Sequence, residues 1–82
     1  MNDFNNMLAE RNKALEEGDL KYIQRTIGTT DPEILEMILH KARYECLHCS
    51  REKRLESGEW LRKNDYKRFD GSPVLPEGEL PE

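Results

Sequence analysis

Long apolar runs are missing from this chain. Its longest are short pieces such as Met37-Ile38-Leu39, far below the ~20 residues of a membrane-spanning helix. The residues Met1-Asn2-Asp3-Phe4 offer neither the basic nor the apolar segment of a signal peptide, and neither end carries a lipidation signal. A cytoplasmic location is therefore expected, with no membrane partner. Cysteine is scarce, and in a reducing compartment Cys46 and Cys49 are expected to be free thiols. Apolar residues make up only 35% of the 82 residues against 37% charged. A core that small supports one domain, with little stability to spare for a deep, water-excluded active site.

Recognisable catalytic machinery is also lacking. No glycine loop suited to phosphate is present. Ser50, Ser57 and Ser72 have no glycine elbow or strand context, and His40 and His48 do not suggest a hydrolytic site. Carboxylates abound, but they lie within three or four residues of a base, as Glu59 does with Lys63, and read as solvated ion pairs. No enzyme and no cofactor are expected. The nearest approach to a metal site is His40, Cys46, His48 and Cys49, whose Cys-x-x-Cys spacing suits half a zinc site. On one continuous helix His48 would point roughly 100° from Cys49 and 200° from Cys46. Only a helix break near Leu47 would bring these side chains together; otherwise the two cysteines pack as small apolar residues. A redox role for the pair is disfavoured because no strand precedes it and it comes late in a helical pattern.

Helical periodicity is what the chain does have. Phe4, Met7, Leu8, Arg11 and Leu15 form one stripe of a first helix from Asp3 to Glu17, with Asp3 as cap and Gly18 as stop. A short second helix is expected from Asp19 to Ile27, with Leu20, Ile23 and Ile27 inward and Gly28 at its end. A third begins at Thr30-Asp31-Pro32-Glu33, where either Thr30 or Asp31 can cap. Its inner seam is Leu35, Leu39, Ala42, Cys46 and Cys49, with Met37, His40, Tyr44 and Leu47 as a second stripe beside it. Ser50 either caps a fourth helix or lies within a longer third one reaching about Glu56. Gly58 permits a bend or a straight rod, and Asn64-Asp65 closes the helical reading. Residues 70–82 hold three prolines and two glycines and predict an extended acidic tail, with Val74, Leu75 and Leu80 free to strap onto a partner. The expected architecture is all-α, three or four short helices in a small bundle over residues 1–69 followed by that tail.

Charge is layered along the chain. Residues 1–40 and 70–82 are each net −4, whereas residues 41–69 carry nine bases against five acids. The basic stretch is interleaved with aromatics, which marks Arg43, Tyr44, Arg51, Arg54, Trp60, Arg62, Lys63, Tyr66, Lys67, Arg68 and Phe69 as candidate partner-binding residues. Two readings remain open for that surface: a protein partner, or a nucleic acid. The acids mixed into it, the pI near 5.2, and Asp31, Glu33 and Glu36 at the start of the third helix disfavour the second.

The runs Leu39-His40-Lys41-Ala42-Arg43-Tyr44-Glu45-Cys46, Glu56-Ser57 with Trp60-Leu61, and Tyr66-Lys67-Arg68 before the proline-rich end resemble the short accessory proteins encoded in early regions of temperate enterobacterial phages and prophages. The resemblance covers about the C-terminal half. It implies a compact, non-enzymatic host-takeover factor that binds and inhibits or redirects a host defence, nuclease, recombination or transcription complex. No catalytic residue carries over with it. A homodimer is a further possibility, because the third helix has two apolar stripes.

Overall fold

Local capping signals place the helix ends. The computed structural model describes the backbone from Asp3 and the side chains from Phe4 to Glu82. Four helices follow in order: α1 (Asp3–Glu17), α2 (Leu20–Ile27), α3 (Pro32–Glu45) and α4 (Arg51–Lys63). The expected Asp3 cap lies outside the described side chains. Asp19 caps α2, its carboxylate accepting from the N–H groups of Lys21 and Tyr22 at 3.0 and 3.2 Å. Gly28 ends α2 at φ 91°, a left-handed conformation that costs glycine little. Asp31, not Thr30, caps α3 by accepting from Glu33 N–H at 3.0 Å, with Pro32 opening the helix.

The choice between one long helix and two falls to the second. α3 stops at Glu45, residues 46–50 turn, and the Ser50 hydroxyl accepts from Lys53 N–H to start α4. Glu16 of α1 reinforces that corner, taking hydrogen bonds from Ser50 N–H at 2.7 Å and from its hydroxyl at 2.8 Å. Those two bonds, the backbone one first, hold the Glu16 carboxyl below its ordinary pKa.

α4 runs unbroken through Gly58. The glycine is there for close packing and makes no bend: a Cβ on it would lie 2.7 Å from Tyr44 Cε1. α3 and α4 form a helical hairpin against which α2 and the end of α1 pack. The core is Leu15, Ile23, Leu35, Leu39, Ala42, Cys46 and Cys49, with Tyr44 and Leu61 also buried. The seam of α3 is thus inward as expected, although its last two members sit in the turn.

Two inward expectations fail. Ile27 is 51% exposed, and on α1 only the C-terminal half packs: Ala14 and Leu15 are buried, while Phe4, Met7 and Leu8 are exposed. The stripe is continuous, but α1 outruns the helices it lies against. The radius of gyration, 12.7 Å, slightly exceeds the roughly 12 Å of a compact chain this long, in keeping with that overhang.

Residues 70–82 have no regular structure, as the prolines require. They do not trail free, however. Leu75 N–H donates to the Tyr44 hydroxyl at 3.0 Å, and Arg62 and Arg51 donate to the carbonyls of Leu75 and Gly78 at 2.8 and 2.9 Å. Arg54 donates to the Pro81 carbonyl at 2.6 Å, and Pro81 itself is buried. The segment straps along its own fourth helix, its backbone oxygens satisfied by guanidinium groups. No helix among the described residues is long and apolar enough to cross a membrane.

Candidate functional site

Burial divides the basic–aromatic stretch in two. Arg43, Tyr44 and Arg54, three of the residues marked as partner-binding, are 4%, 1% and 9% exposed. The reason is hydrogen bonding that only the folded chain supplies. Arg43 donates through Nε to the Ser57 hydroxyl at 2.8 Å and through Nη1 to the Leu15 carbonyl at 3.2 Å. Leu15 lies in the last turn of α1, where its carbonyl takes only a long 3.3 Å bond from Gly18 N–H and a cation is favoured. Arg54 donates to the carbonyls of Tyr44 and Pro81. Both arginines are internal braces.

Ser57 and His40 complete this interior network. Ser57 is wholly buried, and its Oγ lies 2.9 Å from His40 Nδ1. Because that oxygen already accepts from Arg43, its own proton is free for Nδ1, which places the imidazole proton on Nε2. Nε2 faces Glu36 at 4.0 Å. A serine, a histidine and a carboxylate in line suggest a nucleophile, but no substrate can reach this hydroxyl, whose lone pair is held by Arg43. Burial first, then the Arg43 charge, lower the His40 pKa from 6.5 to about 4, with Glu56 opposing. His40 is a neutral packing group at neutral pH.

His40 also starts an aromatic ladder leading outward. Its ring stacks on half-buried Trp60 at 4.2 Å between centroids, and Trp60 stacks on half-buried Tyr66 at 5.6 Å with planes 7° apart. The Tyr66 hydroxyl donates to Glu33 at 3.1 Å, which fixes the outer ring and raises its pKa. Lys41 Nζ lies 5.9 Å from the Tyr66 ring centre and 5.7 Å from that of Phe69. Phe69 is 58% exposed, and Lys63 and Lys67 are exposed. These residues form the accessible part of the candidate surface: an aromatic platform from α3, α4 and the following turn, with Lys41 against its outer rings, Lys63 in a recess shared with His40 and Trp60, and Lys67 exposed next to Tyr66 in the chain.

The remaining candidates are occupied. Arg68 makes a two-pronged ion pair with Glu45 at 2.7 and 3.0 Å, while Arg51 and Arg62 hold the tail. Lys41, absent from the sequence-derived set, belongs to the surface. Its signal was its place four residues before Glu45 and one after His40, which reads equally well as a solvated position.

The four zinc candidates, expected to form no metal site without a helix break, do not converge, even though the helix does break beside Leu47. His40 is turned to Ser57, and His48 is exposed in the turn. Cys46 and Cys49 face Asn12, with sulfur–oxygen distances of 3.6 and 4.0 Å. Burial, then the neighbouring Cys46 thiol, raise the Cys49 pKa to about 12, so the thiolate a metal or redox reaction needs is strongly disfavoured. Among the described residues no three His, Cys, Asp or Glu side chains are placed to hold a metal ion. No protein family, curated protein or solved structure matches the chain.

Proposed function

We propose that this is a non-enzymatic binding protein that docks on another protein through the Trp60–Tyr66–Phe69 platform and its lysines. Its role would be that of a host-takeover factor that blocks or modulates a host complex in the cytoplasm. The observation that carries the reading is the preorganised ladder: Tyr66 is pinned by Glu33 and Trp60 is held between two rings. Rings already fixed lose little conformational freedom on binding, and tryptophan and tyrosine dominate interface energies when a partner desolvates them. Lys41, Lys63 and Lys67, interspersed with carboxylates such as Glu33, suit a partner surface that carries charges of both signs.

The nucleic-acid reading is weaker at the same place. Glu33 and Asp31 both act on the Tyr66 hydroxyl, and phosphates approaching that edge would meet carboxylates. The four arginines nearest the platform in sequence are engaged with Glu45 or with backbone and tail groups.

Capture from nuclease-treated host lysate tests the proposal. The tagged protein is expected to retain one protein or complex. The variant Lys63→Glu/Lys67→Glu/Phe69→Ala, all at exposed positions, is expected to lose it at an unchanged melting temperature. Retention of the same partner by the folded variant, or capture that depends on nucleic acid and falls steeply with salt, would refute the reading.

A further inference from the structure

The exposed half of α1 asks for an occupant. By helical periodicity Phe4, Leu8, Arg11 and Leu15 share one face, with Met7 beside them. The lower end of that face is the floor of a cavity of about 210 Å³ between α1, α2 and α3, lined by Leu15, Tyr22, Ile27, Ile38, Ala42 and Phe69 among others. A cavity of roughly 150 Å³ is enough to hold benzene. The upper end is bare: Phe4, Met7 and Leu8 are 68%, 63% and 40% exposed. One chain therefore offers an aromatic knob and a hole of the right size on the same stripe, too far apart to meet within one molecule.

We propose that two copies of this chain pair through α1, antiparallel across a two-fold axis, with Phe4 of each copy filling the cavity of the other. Phe4 and Leu15 are eleven residues apart, about 16 Å along a helix. Placing Phe4 of one copy over Leu15 of the other sets Leu8 against Arg11, whose stem can lie on the apolar strip with its head at the rim. Such self-complementarity is what a closed two-fold interface requires.

The area is sufficient. Phe4, Met7, Leu8, Ile27 and Phe69 are between 40% and 68% exposed. At about 200 Å² per large side chain, that is on the order of 500 Å² of apolar surface per copy. A stable homodimer buries about 800 Å² per partner, roughly 65% of it apolar. The two values agree. This surface shares Phe69 with the platform proposed above, but the stripe itself lies on α1, and the variants at Phe4 and Leu8 that test it leave the platform residues in place.

Sedimentation velocity of the full chain across the micromolar range decides it. The wild type is expected to dimerise as concentration rises. Leu8→Lys, which would set a second cation against Arg11 of the other copy at the pairing face, should weaken association about a hundredfold or more. Phe4→Ala should weaken it about thirtyfold. Ala9→Lys adds the same charge one residue on, turned about 100° away from Leu8, and should leave association nearly unchanged. Circular dichroism should be the same for all three variants, since every one of these positions is exposed. A wild type that stays monomeric throughout, or a dimer that Leu8→Lys leaves intact, would overturn the proposal.

Discussion

Acidification from neutral pH to about 4 should destabilise the protein through His40 more than through any other single group. In the unfolded chain an imidazole takes up its proton near 6.5, while in the folded protein His40 resists protonation until about 4. Above 6.5 neither state is protonated and the contribution to stability is complete. Between 6.5 and 4 only the unfolded chain binds the proton, so stability falls steadily as the pH drops. Below 4 both states are protonated and this loss is finished. The full difference corresponds to about 3 kcal/mol, against a total on the order of 5–10 kcal/mol for a domain of this kind. The cause is local: a ring 7% exposed, donated to by Ser57, beside the Arg43 guanidinium and under Trp60. Urea unfolding of wild type and His40→Gln at a series of pH values isolates it, because the carboxylates titrate in both proteins and cancel. Wild type should lose about 3 kcal/mol more than the variant over that interval. The imidazole proton resonance of His40 should titrate near 4. Parallel stability curves, or a midpoint near 6.5, would refute the reasoning.

Two further outcomes follow from the packing. Gly58→Ala would gain about 1 kcal/mol in an ordinary helix interior. Here its new Cβ would meet Tyr44 at 2.7 Å, so the variant should be less stable by about 1–3 kcal/mol in urea unfolding. Arg54→Ala removes the bond to the Pro81 carbonyl. It should free the end of the tail beyond Gly78, which Arg51 still holds, and a glutamate-specific protease should then cut at Glu79 faster than in wild type.

The helix ends were readable in the sequence because capping is local. Asp19, Gly28, Asp31-Pro32 and Ser50 each act on backbone within three or four residues of themselves. The core face of α3 was readable for a similar reason, since a stripe of Leu35, Leu39 and Ala42 points one way. What a stripe does not encode is the length of the surface opposite it. Phe4, Met7, Leu8 and Ile27 carry the right spacing and still face solvent.

The candidate site was readable only as a stretch of residue types. Arg43 and Arg54 became interior groups through carbonyls 28 and 27 residues away, which no local pattern reveals. A guanidinium in a basic run looks the same whether it meets solvent or closes the end of a distant helix. Gly58 is similar: its value lies in Tyr44, on another helix. The strap along α4 depends on the same arginines, so the tail's docking and the loss of those arginines from the surface are one event.

Lysine reactivity in the captured complex tests most directly the claim that binding belongs to the platform left exposed. The free protein and its complex are treated with an amine-acetylating reagent, and modification is read at each lysine by mass spectrometry. Lys41, Lys63 and Lys67 should be protected in the complex, while Lys13 and Lys21, on α1 and α2, react as before. Protection confined to Lys13 and Lys21, with the three platform lysines fully reactive, would contradict the account.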